Sequence, residues 1–401
     1  MRKIKVIDAI MGAGKTSWAV DHVSSAEESQ RFIYITPYLD EIKRIRTAVT
    51  NRTFIEPNNA NEERRKLRSL KELIAAGSDI AATHSLFQTA DDELVELLTE
   101  AGYTLILDEV MDVIEIANIS RQDIEILVES GKVEIDESRV NWISEEYVEG
   151  RFYDIKQLSR AGNLFYHRGR FLVWTFPARV FNAFDDVYVM TYLFDAQLQR
   201  YYYDLHGIEY EYHSVRKGEH GRYVLTEYDR MSEQRTELMS LIDVYDGPLN
   251  EIGRLPNSFS ATWLKAADSA TITAAKNSMR NYLRNICKAS ASEILWTTKK
   301  DRARSLVSKG FTSSFLHCNA RATNEYADRW ALAYLFNRYM HPFERAFFED
   351  RGVTVNQDLL AVSDLLQWVW RSRIRKGEQI RLYLPSSRMR SLLTAWSNYE
   401  I

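Results

Sequence analysis

The eight residues from Ala9 to Thr16 constrain this chain more than any other segment. They read Ala-Ile-Met-Gly-Ala-Gly-Lys-Thr, and they follow a short apolar run, Lys3–Ala9, that predicts a β-strand. The residues after Gly14 predict a helix. A glycine-rich turn between a strand and a helix binds phosphate, because backbone N–H groups and the helix dipole point at the anion. The sequence therefore predicts a phosphate-binding loop.

Each residue of this loop has an expected role in binding a nucleotide. Gly12, Ala13 and Gly14 would offer backbone N–H groups, and a Cβ at either glycine would block close approach of the phosphate. Lys15 would reach the β- and γ-phosphates, and the Thr16 hydroxyl would ligate Mg²⁺. The predicted cofactors are therefore ATP and Mg²⁺.

A second apolar segment ends in two carboxylates. Tyr103–Leu107 predicts a buried strand, and Asp108 and Glu109 follow it directly. We expect Asp108 to hold Mg²⁺ through water and Glu109 to orient or deprotonate the attacking water. The alternative, a strand that runs into an acidic solvated turn, is weakened by the phosphate loop in the same chain.

The pattern of strands and helices predicts an α/β fold with parallel sheets flanked by helices, because strands that alternate with helices form such sheets. With 401 residues the chain is expected to form two domains, each resembling RecA. The predicted boundaries are 1–206 for the first lobe, with an accessory insertion at about 113–170, 207–222 for a hinge, and 223–401 for the second lobe. In the second lobe we expect helices at Ser269–Ile286 and Asp358–Arg375, and strands at Glu293–Thr297 and Gln379–Leu384.

Composition limits the partners and the location. The net charge of −4 does not by itself indicate a nucleic-acid partner, so such a partner needs a local basic surface. Residues 367–390 form one basic stretch. Two distant cysteines suit neither a disulfide framework nor a zinc site. With no signal peptide and no apolar run of about 18 residues, we expect a cytoplasmic monomer without a membrane partner.

These motifs resemble superfamily 2 helicases, in the order in which that family carries them. Ala9–Thr16 matches motif I, and Asp108-Glu109-Val110-Met111 looks like the D-E-x-x box. The looser matches are Thr36-Pro37, Thr83-His84, Thr191 in the place of the S-A-T motif, Ala322-Thr323-Asn324 for motif V, and Gln367–Arg375 for motif VI. The closest likeness is to compact helicase-like proteins of bacteriophages, which share the Gln-Trp-x-Trp-Arg-Ser segment.

The motif VI match departs from the family pattern at two positions. Trp370 replaces a glycine, and Ile374 stands where the final arginine belongs. On a continuous helix, at about 100° per residue, Arg371 and Arg375 lie one turn apart and Arg373 points to the other side. We therefore expect Arg371 and Arg375, with Gln367, to be the catalytic residues of this segment. The alternative is an ordinary solvated basic face.

The resemblance implies an ATP-driven helicase or translocase, acting on DNA in phage replication, recombination or repair, whose lobes close on ATP. It implies nucleic-acid contacts from Thr36, Pro37, Thr83, His84, Thr298, Lys299, Arg321 and Asn324, and a coupling role for Thr191. Replication or recombination proteins are possible partners. The alternatives are an ATPase of the DNA-packaging type, a nucleic-acid-dependent ATPase that remodels without unwinding, and a module that only senses ATP. Nucleotide selectivity stays open, because only eight residues precede Ala9 and no adenine-reading glutamine motif is present.

Overall fold

The computed structural model describes residues 3–37, 39–60, 66–87, 90–318 and 325–401. These residues form two compact units. The first comprises Met1–Asp8, Gly14–Glu227 and Ala346–Thr354, and the second comprises Ala9–Ala13, Tyr228–Arg345 and Val355–Ile401.

The two units contain three sheets of short strands, two of them in the first unit. The strands are β1 (Ile4–Asp8), β2 (Arg31–Thr36), β3 (Phe54–Ile55), β4 (Asp79–Thr83), β5 (Tyr103–Asp108), β6 (Ile114–Ile116), β7 (Val133–Asp136), β8 (Arg139–Trp142), β9 (Leu164–His167), β10 (Phe171–Thr175), β11 (Asp186–Thr191), β12 (Tyr210–Lys217), β13 (Tyr223–Glu227), β14 (Ile242–Val244), β15 (Ile294–Thr297), β16 (Ala331–Tyr334) and β17 (Ile380–Tyr383).

Helices connect and cover these strands. The α-helices are α1 (Lys15–Ser25), α2 (Leu39–Ala48), α3 (Lys66–Ala75), α4 (Asp92–Ala101), α5 (Arg121–Glu129), α6 (Tyr153–Arg160), α7 (Arg179–Asn182), α8 (Leu198–Leu205), α9 (Arg235–Ser240), α10 (Ala261–Ala266), α11 (Ser269–Asn281), α12 (Ala303–Leu306), α13 (Pro342–Glu349), α14 (Gln357–Val369) and α15 (Ser387–Ser397). Within the described ranges, none of them is long and apolar enough to cross a membrane.

The first unit is organised by a sheet in the order β13-β12-β1-β11-β5-β2-β4-β3. Every neighbouring pair is parallel except β12 with β13. Its inner strands are almost continuously apolar, as Phe32–Ile35 illustrates with complete burial, because helices cover both faces of a parallel sheet. The predicted parallel α/β architecture is confirmed.

An antiparallel sheet in the order β6-β10-β9-β8-β7 interrupts the first unit between β5 and β11. It extends from Ile114 to Thr175, where the sequence predicted an insertion at about 113–170. We call it the middle domain. Within it, β9 and β10 form a hairpin, with Phe171 opposite His167.

The second unit contains a parallel sheet in the order β14-β17-β16-β15. Trp296 on β15, Trp368 on α14 and Trp396 on α15 are fully buried. Trp370 is also buried, so the tryptophans of the Gln-Trp-x-Trp-Arg-Ser segment are core residues of this unit.

One of the points at which the chain passes between the units is Glu227–Tyr228, and the stretch 207–222 that the sequence suggested as a hinge lies within the first unit. That stretch contains β12, which pairs with β1 so that Tyr210 lies opposite Ile4. β13 then folds back antiparallel on β12. The glycines and charges of this segment belong to an edge hairpin, whose backbone hydrogen bonds hold it in the first sheet.

Candidate functional site

The carboxyl ends of three neighbouring strands assemble the candidate site. β1, β11 and β5 are adjacent and parallel, so their ends meet at one edge of the sheet. In register, Asp8 lies opposite Thr191, and Met190 lies opposite Asp108. Lys15 and Thr16 open α1 a few residues after β1. Residues that are far apart in the chain therefore come together at this edge.

The glycines of the phosphate loop adopt backbone conformations that favour glycine. Gly12 has φ 89° and Gly14, the N-cap of α1, has φ 104°. A Cβ on Gly12 would meet nothing within 4 Å, whereas one on Gly14 would lie 2.0 Å from Cε1 of Tyr223. Backbone dihedrals and a packed ring thus require these glycines in the structure, in addition to the phosphate clearance that we inferred from the sequence.

Asp108 ends β5 and accepts a hydrogen bond of 2.7 Å from the Tyr34 hydroxyl. Burial raises the pKa of Asp108 to about 6, and the charge of Glu109 adds to the rise, while the Tyr34 bond and the Lys15 charge oppose it. Lys15, at the start of α1, is thus near enough to this carboxyl to lower its pKa.

The shifted pKa of Asp108 predicts a pH dependence. The form of Asp108 that is expected to hold Mg²⁺ is the carboxylate, so Mg²⁺-dependent nucleotide binding should weaken as pH falls through about 6. The folded state binds this proton more tightly than the unfolded chain does. Without metal, the free energy of unfolding should therefore fall as pH rises from 3.8 to about 6. Titration of wild type against Asp108→Asn measures both effects; identical curves for the two proteins would contradict them.

Glu109 is held in an unusual conformation. Its φ is 77°, in the left-handed region that glutamate seldom adopts, at a cost on the order of 1 kcal/mol. Its backbone N–H donates to the Met190 carbonyl at 2.9 Å, and its Oε2 accepts from the Thr191 hydroxyl at 3.1 Å. The residue chosen from the sequence as the coupling residue thus contacts the predicted base directly.

Asp8 is a site-supporting residue that the sequence reasoning missed. It is almost fully buried at the end of β1, and its two oxygens accept backbone N–H groups of Leu193 at 2.8 Å and Phe194 at 3.0 Å. Leu193 has φ 52°. The carboxylate therefore fixes the turn after β11. A single acid within an apolar strand was the signal that could have revealed it.

Tyr223 is the second residue that was missed. Its half-buried ring packs against Gly14, and its backbone N–H donates to Asp21 of α1 at 3.0 Å. Nothing in the local sequence relates β13 to the phosphate loop, because the contact arises only when β12 pairs with β1.

The predicted nucleic-acid contacts of the first unit lie at neighbouring strand ends. Thr36 on β2 lies opposite Thr83 on β4. Thr36 is completely buried, so it is poorly placed to touch a ligand, whereas Pro37, Thr83 and His84 are partly exposed. Thr83 also lines a cavity of about 530 Å³.

The nucleic-acid contacts predicted in the second unit differ in their exposure to solvent. Thr298 is fully buried, and its hydroxyl donates to the Leu335 carbonyl at 3.0 Å, which argues against a role in binding nucleic acid. Lys299 is partly exposed and pairs with Asp301 at 2.8 Å. Arg321 and Asn324 lie outside the described residues.

The helical register expected for motif VI is wrong. α14 ends at Val369, and the chain continues through an extended Ser372 into a 3₁₀ turn at Arg373–Lys376. Arg371 and Arg375 are therefore not one turn apart on a helix. Arg371 is buried and Arg375 is exposed. Gln367 is buried on α14, where its amide donates to Ser363 at 3.4 Å.

Arg373, which we expected to face solvent or nucleic acid, is built into the second unit. Its backbone N–H donates to the Arg329 carbonyl at 3.1 Å, its Nε donates to the Gln379 carbonyl at 2.6 Å, and its guanidinium lies 5.7 Å from the centre of the Trp330 ring.

We therefore expect Arg373→Ala to lower the free energy of unfolding by about 1–3 kcal/mol, because it removes a charged hydrogen bond and a cation–π contact. Arg304→Ala, at an exposed position on α12, is the matched control and should change it by less than about 0.5 kcal/mol. Urea unfolding of both variants measures the difference, and equal stabilities would contradict the structural role of Arg373.

One curated relative matches this chain over nearly its whole length. The SPbeta prophage-derived uncharacterized protein YonV of Bacillus subtilis (strain 168) is 41% identical over 408 residues, which span 99% of each chain. The chain belongs to the YonV family. The family's middle-domain profile matches residues 114–174, which are the antiparallel sheet, and its C-terminal Rossmann-like domain profile matches residues 236–397 of the second unit.

Solved structures place the fold of this YonV-family chain among XPD-type helicases. An XPD helicase aligns with a TM-score of 0.54 and 12% identity, over 99% of this chain and 94% of that one. Xpd4 of S. tokodaii aligns with a TM-score of 0.52 and 13% identity, over 100% and 94%. At this identity the likeness concerns the fold alone, and that fold is the one that the resemblance in the motifs implied. The prophage source of the relative agrees with the likeness to phage-encoded proteins.

Proposed function

We propose that this chain is a nucleic-acid-dependent ATPase of the helicase type, which uses ATP hydrolysis to move along or remodel nucleic acid. The observation that carries the proposal is the edge formed by β1, β5 and β11. It places Asp108, Glu109 and Thr191 together, with Lys15 close enough to influence the pKa of Asp108.

The residues of this edge fit ATP with Mg²⁺. The Thr16 hydroxyl and the Asp108 carboxylate are oxygen ligands of the kind that Mg²⁺ prefers, and the metal would neutralise phosphate charge when bound. Gly12, Ala13 and Gly14 offer backbone N–H groups to phosphate, and Lys15 adds a positive charge. Glu109 would orient and deprotonate the attacking water.

The remaining assignments rest on the motif resemblance. Gln367, Arg371 and Arg375 stay candidates for transition-state stabilisation, of which Arg375 is the exposed one. DNA is the preferred substrate because the relative is derived from a prophage. A role in phage replication, recombination or repair, as a monomer in the host cytoplasm, follows from the same reasoning.

ATPase rates measured without nucleic acid, and with single-stranded DNA, duplex DNA or RNA, test the proposal. We expect stimulation by at least one nucleic acid, and an affinity that falls steeply with salt because phosphate contacts release counterions. Absence of ATP hydrolysis under all four conditions would overturn the proposal. A strand-displacement assay on the stimulating substrate separates unwinding from remodelling without unwinding.

Tyr223 is proposed to contact the base or ribose of the nucleotide. Its ring lies beside Gly14 at the mouth of the phosphate loop, and stacking on a base contributes on the order of 1–3 kcal/mol. Tyr223→Ala should therefore raise KM for ATP about 10-fold with kcat nearly unchanged, and Tyr223→Phe should restore it. A Tyr223→Ala variant with normal KM and a lowered Tm would assign the ring to packing alone.

A further inference from the structure

Two adjoining cavities lie beside the middle domain, within the first unit. One has a volume of about 290 Å³ and the other about 180 Å³, and both are lined by Phe165, Thr175 and His206. We call their combined space the β9–β10 cavity. It is separate from the edge that carries Lys15, Asp108 and Glu109, and none of the motifs singled out in the sequence accounts for it.

Asn163 lines the larger part of this cavity, and its buried side-chain amide carries an unsatisfied donor. Its residue surface is only 7% exposed, and within the described part of the chain its side-chain nitrogen has no hydrogen-bond partner. Its backbone groups are engaged, since the N–H donates to Leu158 at 3.3 Å and the carbonyl accepts from Thr175 at 2.9 Å. Leaving a buried amide donor unpaired costs about 1–3 kcal/mol. A cavity lined by such a donor suits a ligand that brings an acceptor oxygen.

The charges around the cavity favour an anionic acceptor. Arg139 and Arg179 line the larger part, and Arg351 lines the smaller part. Of the nearby acids, Asp350 is held by Arg168 through two hydrogen bonds of 2.7 Å, and Asp92 pairs with Arg179. Burial lowers the pKa of His206, so this ring adds no positive charge at neutral pH. With Arg179 paired to Asp92, Arg139 and Arg351 are the lining arginines that supply positive charge to the cavity, and Asp136 lies opposite Arg139 on β7.

Aromatic rings accompany these cations. The Arg139 guanidinium lies 6.0 Å from the centre of the Phe165 ring, and the Arg351 guanidinium lies 4.0 Å from that of Phe347. Both rings line the cavity. Cationic groups beside ring faces are the combination that binds single-stranded nucleic acid, whose phosphates meet the cations and whose bases stack.

We propose that the β9–β10 cavity of the middle domain binds the phosphate backbone of a nucleic-acid strand, with Asn163 and Arg139 contacting one phosphate. The inference rests on the proposed function and extends it, because it places a substrate contact outside the motifs of the two main sheets. A base adjacent to that phosphate stacks on Phe165.

Fluorescence anisotropy of a labelled oligothymidylate, measured on the full chain over a range of salt concentrations, tests this site. Arg139→Ala should weaken binding about 10-fold and reduce the slope of log K against log salt by about 1, as expected for one lost phosphate contact. Arg121→Ala is the matched control, since Arg121 is exposed on α5 of the same domain and pairs with Glu125. It should leave the slope unchanged.

Asn163→Asp probes the donor itself, because it places a carboxylate of nearly the same shape in the cavity. We expect about 10-fold weaker binding or more, with the ATPase rate in the absence of nucleic acid unchanged. Arg139→Ala, at an exposed position, keeps the test decisive if the Asn163→Asp variant folds poorly.

Wild-type binding with the same salt slope in Arg139→Ala and Arg121→Ala would overturn this inference and leave the proposed function standing. Complete absence of oligothymidylate binding by the wild type would also overturn this inference, and the ATPase rates with duplex DNA and RNA decide the proposed function separately. Competition by inorganic phosphate at concentrations that match the oligonucleotide would show a site for free phosphate, and would also overturn the assignment to a strand.

Discussion

Lys15→Ala is expected to lower ATP turnover by about 10³-fold or more, because in the proposed function it removes the side-chain cation that would contact the β- and γ-phosphates. The fold should survive. Lys15 is only half-buried, whereas α1 packs into the core through Trp18, Ala19 and Val23. Circular dichroism and thermal unfolding should therefore match the wild type.

A second effect of the Lys15 substitution follows from its influence on Asp108. The positive charge of Lys15 lowers the pKa of that carboxyl, so its removal should raise the pKa further above about 6. Any residual metal-dependent binding should then shift to higher pH. Lys43→Ala, an exposed substitution on α2, is the control and should change neither property. Near wild-type turnover in a folded Lys15→Ala protein would show that the loop does not bind the reacting phosphates.

Glu109→Gln is expected to separate binding from hydrolysis. Glutamine keeps the shape of the side chain and an oxygen that accepts the Thr191 hydroxyl, and it leaves Asp108 in place. It does not accept a proton from water, so turnover should fall about 10²–10⁴-fold with ATP affinity within a factor of about 3 of the wild type. Equilibrium binding of a fluorescent ATP analogue, alongside steady-state turnover, provides the comparison.

Thr191→Val makes the Glu109 experiment more specific. Valine has nearly the volume of threonine but does not donate the 3.1 Å hydrogen bond to Glu109. If the strained glutamate is oriented by that bond, Thr191→Val should lower turnover and leave ATP affinity intact. Loss of ATP affinity together with turnover in Glu109→Gln would count against the assignment of Glu109 as the base.

The sequence predicted those parts of the site that are formed by consecutive residues of the chain. The strand, the turn and the helix around Gly14 are local, and so is the strand before Asp108. The burial of these segments and their positive φ values follow from the types of residue that are adjacent in the sequence. For the same reason the two strands of the β9–β10 hairpin could be expected before the tertiary structure was known.

The prediction for the motif VI segment was wrong because the helical periodicity of the sequence continues beyond the residue at which the helix ends. The sequence predicted one helix over Asp358–Arg375, yet α14 ends at Val369. The Arg373 backbone then donates to Arg329, and its side chain packs on Trp330. These contacts with neighbouring segments compete with the helical hydrogen bonds, and a helical pattern carries no information about them.

By itself, the sequence determined the phosphate loop, the D-E-x-x strand end, the parallel α/β architecture and the superfamily 2 resemblance, because each depends on the chemistry and spacing of neighbouring residues. Only the tertiary structure decided that Thr191 would meet Glu109, that Asp8 would anchor the turn after β11, and that Tyr223 would cover Gly14. Those contacts depend on the order and register of strands in a sheet. Strand order is set by the packing of the whole unit, which joins residues that lie far apart in the chain.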